Sequence, residues 1–204
     1  MGQKLFYQGQ LPEDFAYYLI SYGIACPLYI GNRILDGGQQ GAGEAGHMVA
    51  VLNGPRCETC GNGGCLEELA SERAIVKTVR TELDKGRGSM ISELCPDLEF
   101  LGTREILAAQ ECGDELAEEV ISQALLYLGA TLANIINLMN PSLVFVDSYL
   151  MKLMKNRHRL VEDTRAHIFG LYNDEVEFEF VEFGHFTGAK GAAAVAIERY
   201  FINE

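Results

Sequence analysis

Basic residues are scarce in this sequence. Its 204 residues hold 16 Lys and Arg against 29 Asp and Glu, a formal net charge of −13 with a pI near 4.7. A surface of that sign repels phosphate backbones and anionic lipid heads. It excludes DNA or RNA binding by this stretch alone and leaves any DNA contact to a segment outside it. Long apolar runs are also lacking, and none approaches the ~20 residues that span a bilayer. The first residues show no charged segment followed by an apolar stretch and a small-residue cleavage site, so no secretory signal is read there. The single Asn-x-Ser/Thr match, Asn140-Pro141-Ser142, is disqualified by its proline. Together these absences predict a cytoplasmic chain with no membrane partner.

What is present is ordinary for a folded domain. Apolar residues make up 48% and charged residues 22%, close to globular averages. The length suits one domain, or one and a half, and suffices to bury about 70% of the surface an unfolded chain exposes. Six cysteines are unevenly placed. Cys57, Cys60 and Cys65 cluster, whereas Cys26, Cys95 and Cys112 are scattered among apolar or small residues and read as inert packing groups.

The pattern of elements favours an α/β fold. Residues 17–30 are rich in aromatic and β-branched types and read as strand, broken near Gly23 and Pro27. Ile34-Leu35 begins a return strand, and the glycine-rich residues 36–46 form a loop. A helix is expected over 66–83, irregular chain over 84–102, and a short helix capped by Thr103 that runs to Gln110. Asp114 opens the strongest amphipathic helix, which Asn140-Pro141 ends. Leu143-Val144-Phe145-Val146 is a short apolar run typical of a strand buried on both faces. A helix with a basic patch over 150–168, an alternating edge strand at Val176–Phe183 and a closing helix at Thr187–Tyr200 follow. Helices alternating with strands imply layered α/β architecture with a partly parallel sheet.

His47, Cys57, Cys60 and Cys65 form a metal-ligand pattern. Zinc takes four soft or borderline donors in a tetrahedron, and three thiolates with one imidazole are a common structural set. The Cys-x-x-Cys step turns two sulfurs to one point, and Gly61, Gly63 and Gly64 let the chain curl back to deliver Cys65. Four protein ligands leave no open position, so the expected ion is structural. The competing reading is a redox pair, but the cysteines do not open a helix after a strand, and a third Cys and a His stand nearby. Gly41-Ala42-Gly43-Glu44-Ala45-Gly46 matches G-x-G-x-x-G, yet His47–Val51 reads as a strand followed by a turn. A dinucleotide fingerprint must open a helix, so that reading is set aside.

Gly43-Glu44-Ala45-Gly46-His47, followed by Cys57 and Cys60-Gly61-Asn62-Gly63-Gly64-Cys65-Leu66-Glu67, resembles the signature of the ROK family. That family groups bacterial sugar kinases with sugar-responsive transcriptional repressors. Residues 133–141, which run into the buried strand, and Gly188-Ala189-Lys190-Gly191-Ala192-Ala193 resemble the family as well. The resemblance implies an actin-like, ribonuclease-H-like ATPase-type α/β lobe with an inserted zinc-binding loop at 47–65. It places residues 1–204 as the C-terminal lobe, with the N-terminal lobe and any DNA-binding head outside. It further implies that Glu44, His47 and Glu67 contact a sugar. Carboxylates accept bonds from hydroxyls, and a zinc-bound imidazole can turn its second nitrogen toward one. The bland alternative for Glu44 and Glu67 is solvated loop charge. Homo-oligomers are implied too, with the helix from Asp114 to Asn140 as a candidate interface, although a core helix reads the same way.

The departures decide between the family's two activities. Cys57 and Cys60 have two residues between them, where the family usually has one. No equivalent of the kinases' Asn-Asp pair is present, so no catalytic residue is assigned. Ser21-Tyr22-Gly23-Ile24-Ala25-Cys26 stands at the kinases' phosphate turn, and Asp147-Ser148 replaces a glycine pair after the buried strand, placing negative charge where a nucleotide would sit. Phosphoryl transfer depends on positioning and charge stabilisation, so these changes predict its loss. The expected function is a sugar-sensing domain of a transcriptional regulator. The alternative is the C-terminal lobe of an ATP-dependent sugar kinase, and a third reading is a zinc-stapled assembly domain without a small-molecule ligand.

Overall fold

The computed structural model describes residues 11–39, 41–170 and 175–181. The expected helix at Thr187–Tyr200, the Gly188–Ala193 segment and the end of the Val176–Phe183 strand lie outside these residues.

One mixed sheet organises the chain. Its strands are β1 (Phe15–Ile20), β2 (Ile24–Ala25), β3 (Leu28–Ile30), β4 (Arg33–Ile34), β5 (Leu143–Ser148) and β6 (Glu177–Phe180). The order is β4-β3-β1-β5-β6, with β2 paired to β1. β1 runs parallel to β5 and β5 parallel to β6, whereas β1–β2, β1–β3 and β3–β4 are antiparallel. Tight turns link the antiparallel strands, and the parallel pair β1–β5 is joined through the helices between them.

The alternation along β1 sends its side chains to two cores. Ala16, Tyr18 and Ile20 join the larger cluster with Val144 and Val146. Phe15, Tyr29 and Phe145 form a smaller cluster on the opposite face, where Phe15 stacks on Tyr29 at 4.8 Å and meets Phe145 edge-on at 5.7 Å. Burial on both faces explains why β5 reads as a continuous apolar run; all six of its residues are buried.

The helices are α1 (Glu67–Ala70), α2 (Glu72–Asp84), α3 (Ile91–Leu94), α4 (Thr103–Glu111), α5 (Glu115–Met139) and α6 (Met154–Arg165). Asp114 caps α5 by accepting from the Ala117 amide at 2.9 Å. Asn140 closes the helix in the left-handed region at φ 45°, and its amide bonds the Ile136 carbonyl at 2.8 Å. By length and composition α5 would cross a bilayer, yet 61% of its most apolar stretch is buried inside the fold. Tyr18 donates to its Leu128 carbonyl at 3.3 Å. The apolar stripe is thus used in packing within the fold, with α6 as its closest neighbour and α1, α2 and α4 beside it, and Leu138 is among the few exposed apolar residues of α5.

Five local expectations are corrected. The helix over 66–83 is two helices, because Ser71 takes an extended conformation and accepts from the Ala74 amide as an N-cap. Residues 84–102 hold α3 and a short 3-10 turn at Leu98–Phe100. Thr103 is the first helical residue, with Gly102 as cap, its amide held by the Glu105 side chain at 3.1 Å. His47–Val51 is no strand: a 3-10 turn at Ala45–His47 leads to a single bridge between Val49 and Cys65. Cys26 and Cys95 are buried as expected, but Cys112 at the end of α4 is exposed.

Candidate metal and ligand site

The four expected metal ligands converge. Donor atoms of His47, Cys57, Cys60 and Cys65 all lie within 4.8 Å of one another. Cys57 Sγ is 3.7 Å from His47 Nδ1, and Cys60 Sγ is 3.5 Å from Cys65 Sγ. A tetrahedral ion with metal–sulfur bonds near 2.3 Å has sulfur–sulfur edges of about 3.8 Å, so the donor set and its spacing fit one zinc-sized ion. Nδ1 faces the sulfurs, which leaves Nε2 for a second partner.

Backbone bonds build this knuckle. The Cys57 amide bonds the Asn62 carbonyl at 2.7 Å, and the Gly61 amide bonds the Cys57 carbonyl at 2.9 Å. The Gly64 amide reaches Pro55, and the Ala50 and Leu66 amides tie both sides of the loop to Gly64 and Met48. Gly64 has φ +77°, and a Cβ there would stand 1.7 Å from the Val51 carbonyl oxygen, so no side chain fits. Burial pushes the Cys65 thiol up to about 12, whereas a backbone hydrogen bond from Asn62 lowers that of the exposed Cys60. A bound metal would take its cysteine donors as thiolates and release protons.

The three expected sugar contacts gather around Gly46. Glu44 precedes the 3-10 turn that delivers His47, is exposed, and has no side-chain partner among the described residues. Glu67 is the first residue of α1, directly after the knuckle. A Cβ on Gly46 would lie 3.0 Å from Glu67 Oε2 and 2.6 Å from the Ile24 carbonyl. The absence of a side chain at Gly46 therefore lets the carboxylate pack between the His47 turn and the β1–β2 turn. A carboxylate oxygen of Glu67 also lies within 4.8 Å of Cys57 Sγ. Glu67 is no solvated loop charge, since its side chain is only 14% exposed.

Of residues 21–26, expected at the kinases' phosphate turn, three use their amides internally. Ser21 N–H bonds the Gly23 carbonyl at 2.9 Å, and Cys26 N–H bonds the Gly43 carbonyl at 2.7 Å. The Ile24 amide donates to Glu67 Oε2 at 3.2 Å, so a carboxylate occupies that donor. Asp147 turns into the sheet interior: it is 4% exposed and accepts from the Tyr17 hydroxyl through Oδ2. Its charge, expected where a nucleotide would sit, is therefore held inside the fold. Asp147 Oδ1 and Glu72 Oε1 are buried without a hydrogen-bond partner among the described residues. Burial, with Asp147 adding to it, raises the Glu72 carboxyl, and only the Tyr149 amide opposes this.

Arg73, on α2, escapes the sequence reading. Its guanidinium bonds Glu58 at 2.9 Å and Glu68, stands 3.8 Å from Glu67 Oε1, and lies 5.7 Å from the ring centroid of Tyr22. Lys77 also bonds Glu58 at 2.8 Å, and Lys77 with Arg73 holds that carboxyl below the usual range. Thr59, inside the Cys-x-x-Cys step, donates to Glu67 Oε1 at 3.4 Å. A basic residue near the start of an amphipathic helix carries no signal for such a hub, because a solvated charge there has the same pattern.

Comparison with known proteins agrees with this geometry. The chain is 30% identical over 181 residues to the xylose repressor of Caldicellulosiruptor bescii, covering 87% of this chain and 45% of that protein. It thus spans about half the length of the curated relatives it matches. A crystal structure of a ROK family transcriptional regulator, a homolog of E. coli Mlc, superposes with a TM-score of 0.83 at 29% identity, covering 95% of this chain and 48% of that one. A ROK family glucokinase from Streptomyces griseus, solved with glucose and AMPPNP, superposes at 0.81 with 24% identity over 95% of this chain and 64% of that one. The last likeness speaks to fold alone and gives this mixed sheet the actin-like sugar-kinase fold. The ROK family model itself matches residues 1–199. That match covers nearly the whole sequence, on a fold shared with regulators and kinases alike, and this chain belongs to the ROK family.

Proposed function

We propose that this chain is the sugar-sensing, C-terminal lobe of a ROK-type transcriptional regulator, with the first lobe and a DNA-binding head supplied by the rest of the protein. The observation that carries this reading is the Glu67 carboxylate on the Ile24 amide. A phosphate cradle needs free backbone N–H groups, and a carboxylate held on one of them repels a phosphate. Sugar hydroxyls, in contrast, are donors that carboxylates accept. Glu44, His47 through Nε2, and Glu67 supply the sugar contacts of this lobe. His47, Cys57, Cys60 and Cys65 hold one structural zinc ion, which fixes the His47 ring from the side away from the sugar. Sugar binding shifts the equilibrium between operator-competent and released states of a homo-oligomer, and DNA is reached only through the head.

The alternative, a sugar-kinase lobe, draws on the likeness to the glucokinase fold and requires nucleotide affinity. Calorimetry on the full-length protein separates the two. The expected result is heat with one of D-xylose, D-glucose or N-acetyl-D-glucosamine, none with Mg-ATP, and release of operator DNA by the sugar that binds. Glu67→Gln is expected to weaken that sugar by at least about tenfold, the loss of one charge-assisted bond. Phosphate transfer from ATP to any of these sugars would overturn the reading.

A further inference from the structure

Tyr22 stands out beside the Glu67 cluster. It sits on the turn between β1 and β2 and is 74% exposed, while most other tyrosines of the described residues are buried or half-buried. Its ring lies against Arg73, whose guanidinium carbon is 5.7 Å from the ring centroid. The same guanidinium stands 3.8 Å from Glu67 Oε1 and is bonded by Glu58 and Glu68. Next along the chain, a Cβ on Gly23 would lie 2.8 Å from Glu67 Oε2. One exposed aromatic surface is therefore held beside the carboxylate that is proposed to meet the sugar.

The charge around this surface is not neutral. Glu58, Glu67 and Glu68 surround Arg73, and only Lys77 adds a second positive charge. Three carboxylates against two cations leave the patch negative, and Arg73 is already committed to carboxylate partners. An anionic ligand would meet repulsion here, whereas an uncharged ligand with hydroxyl donors and an apolar face meets acceptors and a ring.

We propose, on the footing of the sugar-sensing reading, that Tyr22 is the stacking platform of the ligand site and selects an uncharged cyclic sugar. One face of such a sugar presents mainly C–H groups, which pack on the face of an aromatic ring. The hydroxyls at its edge are left for Glu67 and Glu44. Arg73 is a positioning residue: its contacts with the ring and with Glu68 set the distance between the platform and the Glu67 carboxylate.

The test uses the full-length protein and the three sugars named above. This chain contains no tryptophan, so Tyr22→Trp places an indole on the turn, and its emission is read as the difference from the parent. The expected result is that Tyr22→Ala weakens the sugar that binds by about tenfold, the scale of one aromatic contact. Tyr22→Phe recovers most of that loss. Zinc content and melting temperature stay at the parent values in both variants. Tyr22→Trp shows a sugar-dependent emission change that saturates with the calorimetric Kd, and D-glucose 6-phosphate binds more weakly than D-glucose. Parent-like affinity in Tyr22→Ala overturns the platform while leaving the sugar-sensing reading intact. Tighter binding of the phosphorylated sugar overturns the selectivity for an uncharged ligand. Absence of heat with all three sugars in the parent protein overturns the sensing reading and the platform with it, a result that Tyr22 variants alone cannot produce.

Discussion

The knuckle at residues 45–66 and the α5–β5 core at 114–148 hold their backbones by different means. In the knuckle few side chains are buried, among them Ala45, Cys57, Cys65 and Leu66, and its apolar residues Val49 and Leu52 point outward at 55% and 83% exposure. Its shape rests on backbone hydrogen bonds, on glycines and on four donor atoms that converge on one point. In the core the balance is reversed. All of β5 is buried, and Leu116, Ile121, Leu125, Leu128 and Leu132 of α5 are 1% exposed or less. The difference teaches where each region draws its stability. With the proposed zinc bound, the knuckle's would be metal-binding free energy, which in structural zinc sites reaches about 10–16 kcal/mol in apparent terms. The core's is apolar burial and packing, which needs no ion.

The largest expected effect comes from removing one thiolate. Cys65→Ser is expected to take zinc content from one per chain to none after dialysis, with hydrogen-exchange protection lost at the Cys57, Gly64 and Leu66 amides. Amides within α5 are expected to keep their protection, because its stripe is held by apolar packing, most closely against α6, that needs no ion. Retained stoichiometric zinc, or loss of α5 protection together with the knuckle, would break the contrast. The converse variant is Leu128→Ala. It leaves a cavity against β1 and is expected to lower unfolding free energy by about 2–5 kcal/mol in urea titration. Zinc content should remain one per chain while the fold persists. A drop in zinc affinity at low urea would show that the two regions share one cooperative unit.

Both regions were legible in the sequence, for different reasons. The convergence of His47, Cys57, Cys60 and Cys65 could be anticipated because tetrahedral coordination restricts residue type and spacing together, and these four meet both restrictions. α5 and β5 could be named because burial imposes a period of 3.6 on one and continuity on the other. What lay between was harder. Ser71 breaks a helix whose apolar spacing continues across it, since the serine hydroxyl satisfies an amide that the helix would otherwise have used. Arg73 was invisible because its partners arrive from three separate segments, Tyr22, Glu58 and Glu67–Glu68, that only the folded chain brings together. The Asp147 carboxyl, expected where a nucleotide would sit, lies by strand alternation on the face of Tyr17, from whose hydroxyl it accepts, a pairing the sequence does not reveal.

A smaller effect sharpens the comparison, because acid should act on both regions through separate groups. Partial burial works against charge on Asp114, yet the Ala117 amide, the Ser89 hydroxyl and the Met90 amide hold its carboxyl below the usual range. A depressed folded-state pKa stabilises the fold fully above the unfolded value of about 3.9, and that share is lost as pH falls through the folded value. Asp114→Ala is expected to cost about 1–2 kcal/mol at pH 7, the range of a lost N-cap. The gap from the parent should close as pH falls below about 4. Asp114→Asn keeps a capping oxygen, so its loss should be the smaller one. Acid would also protonate the proposed knuckle ligands and release a bound metal, hiding this signal in the intact chain. Measuring the pair in the Cys65→Ser background removes that contribution. If the gap between parent and Asp114→Ala then persists unchanged at pH 3, the aspartate acts through its hydrogen-bond geometry and not its charge. If the gap closes, the acid sensitivity of the core has its own source, independent of the metal proposed for the knuckle.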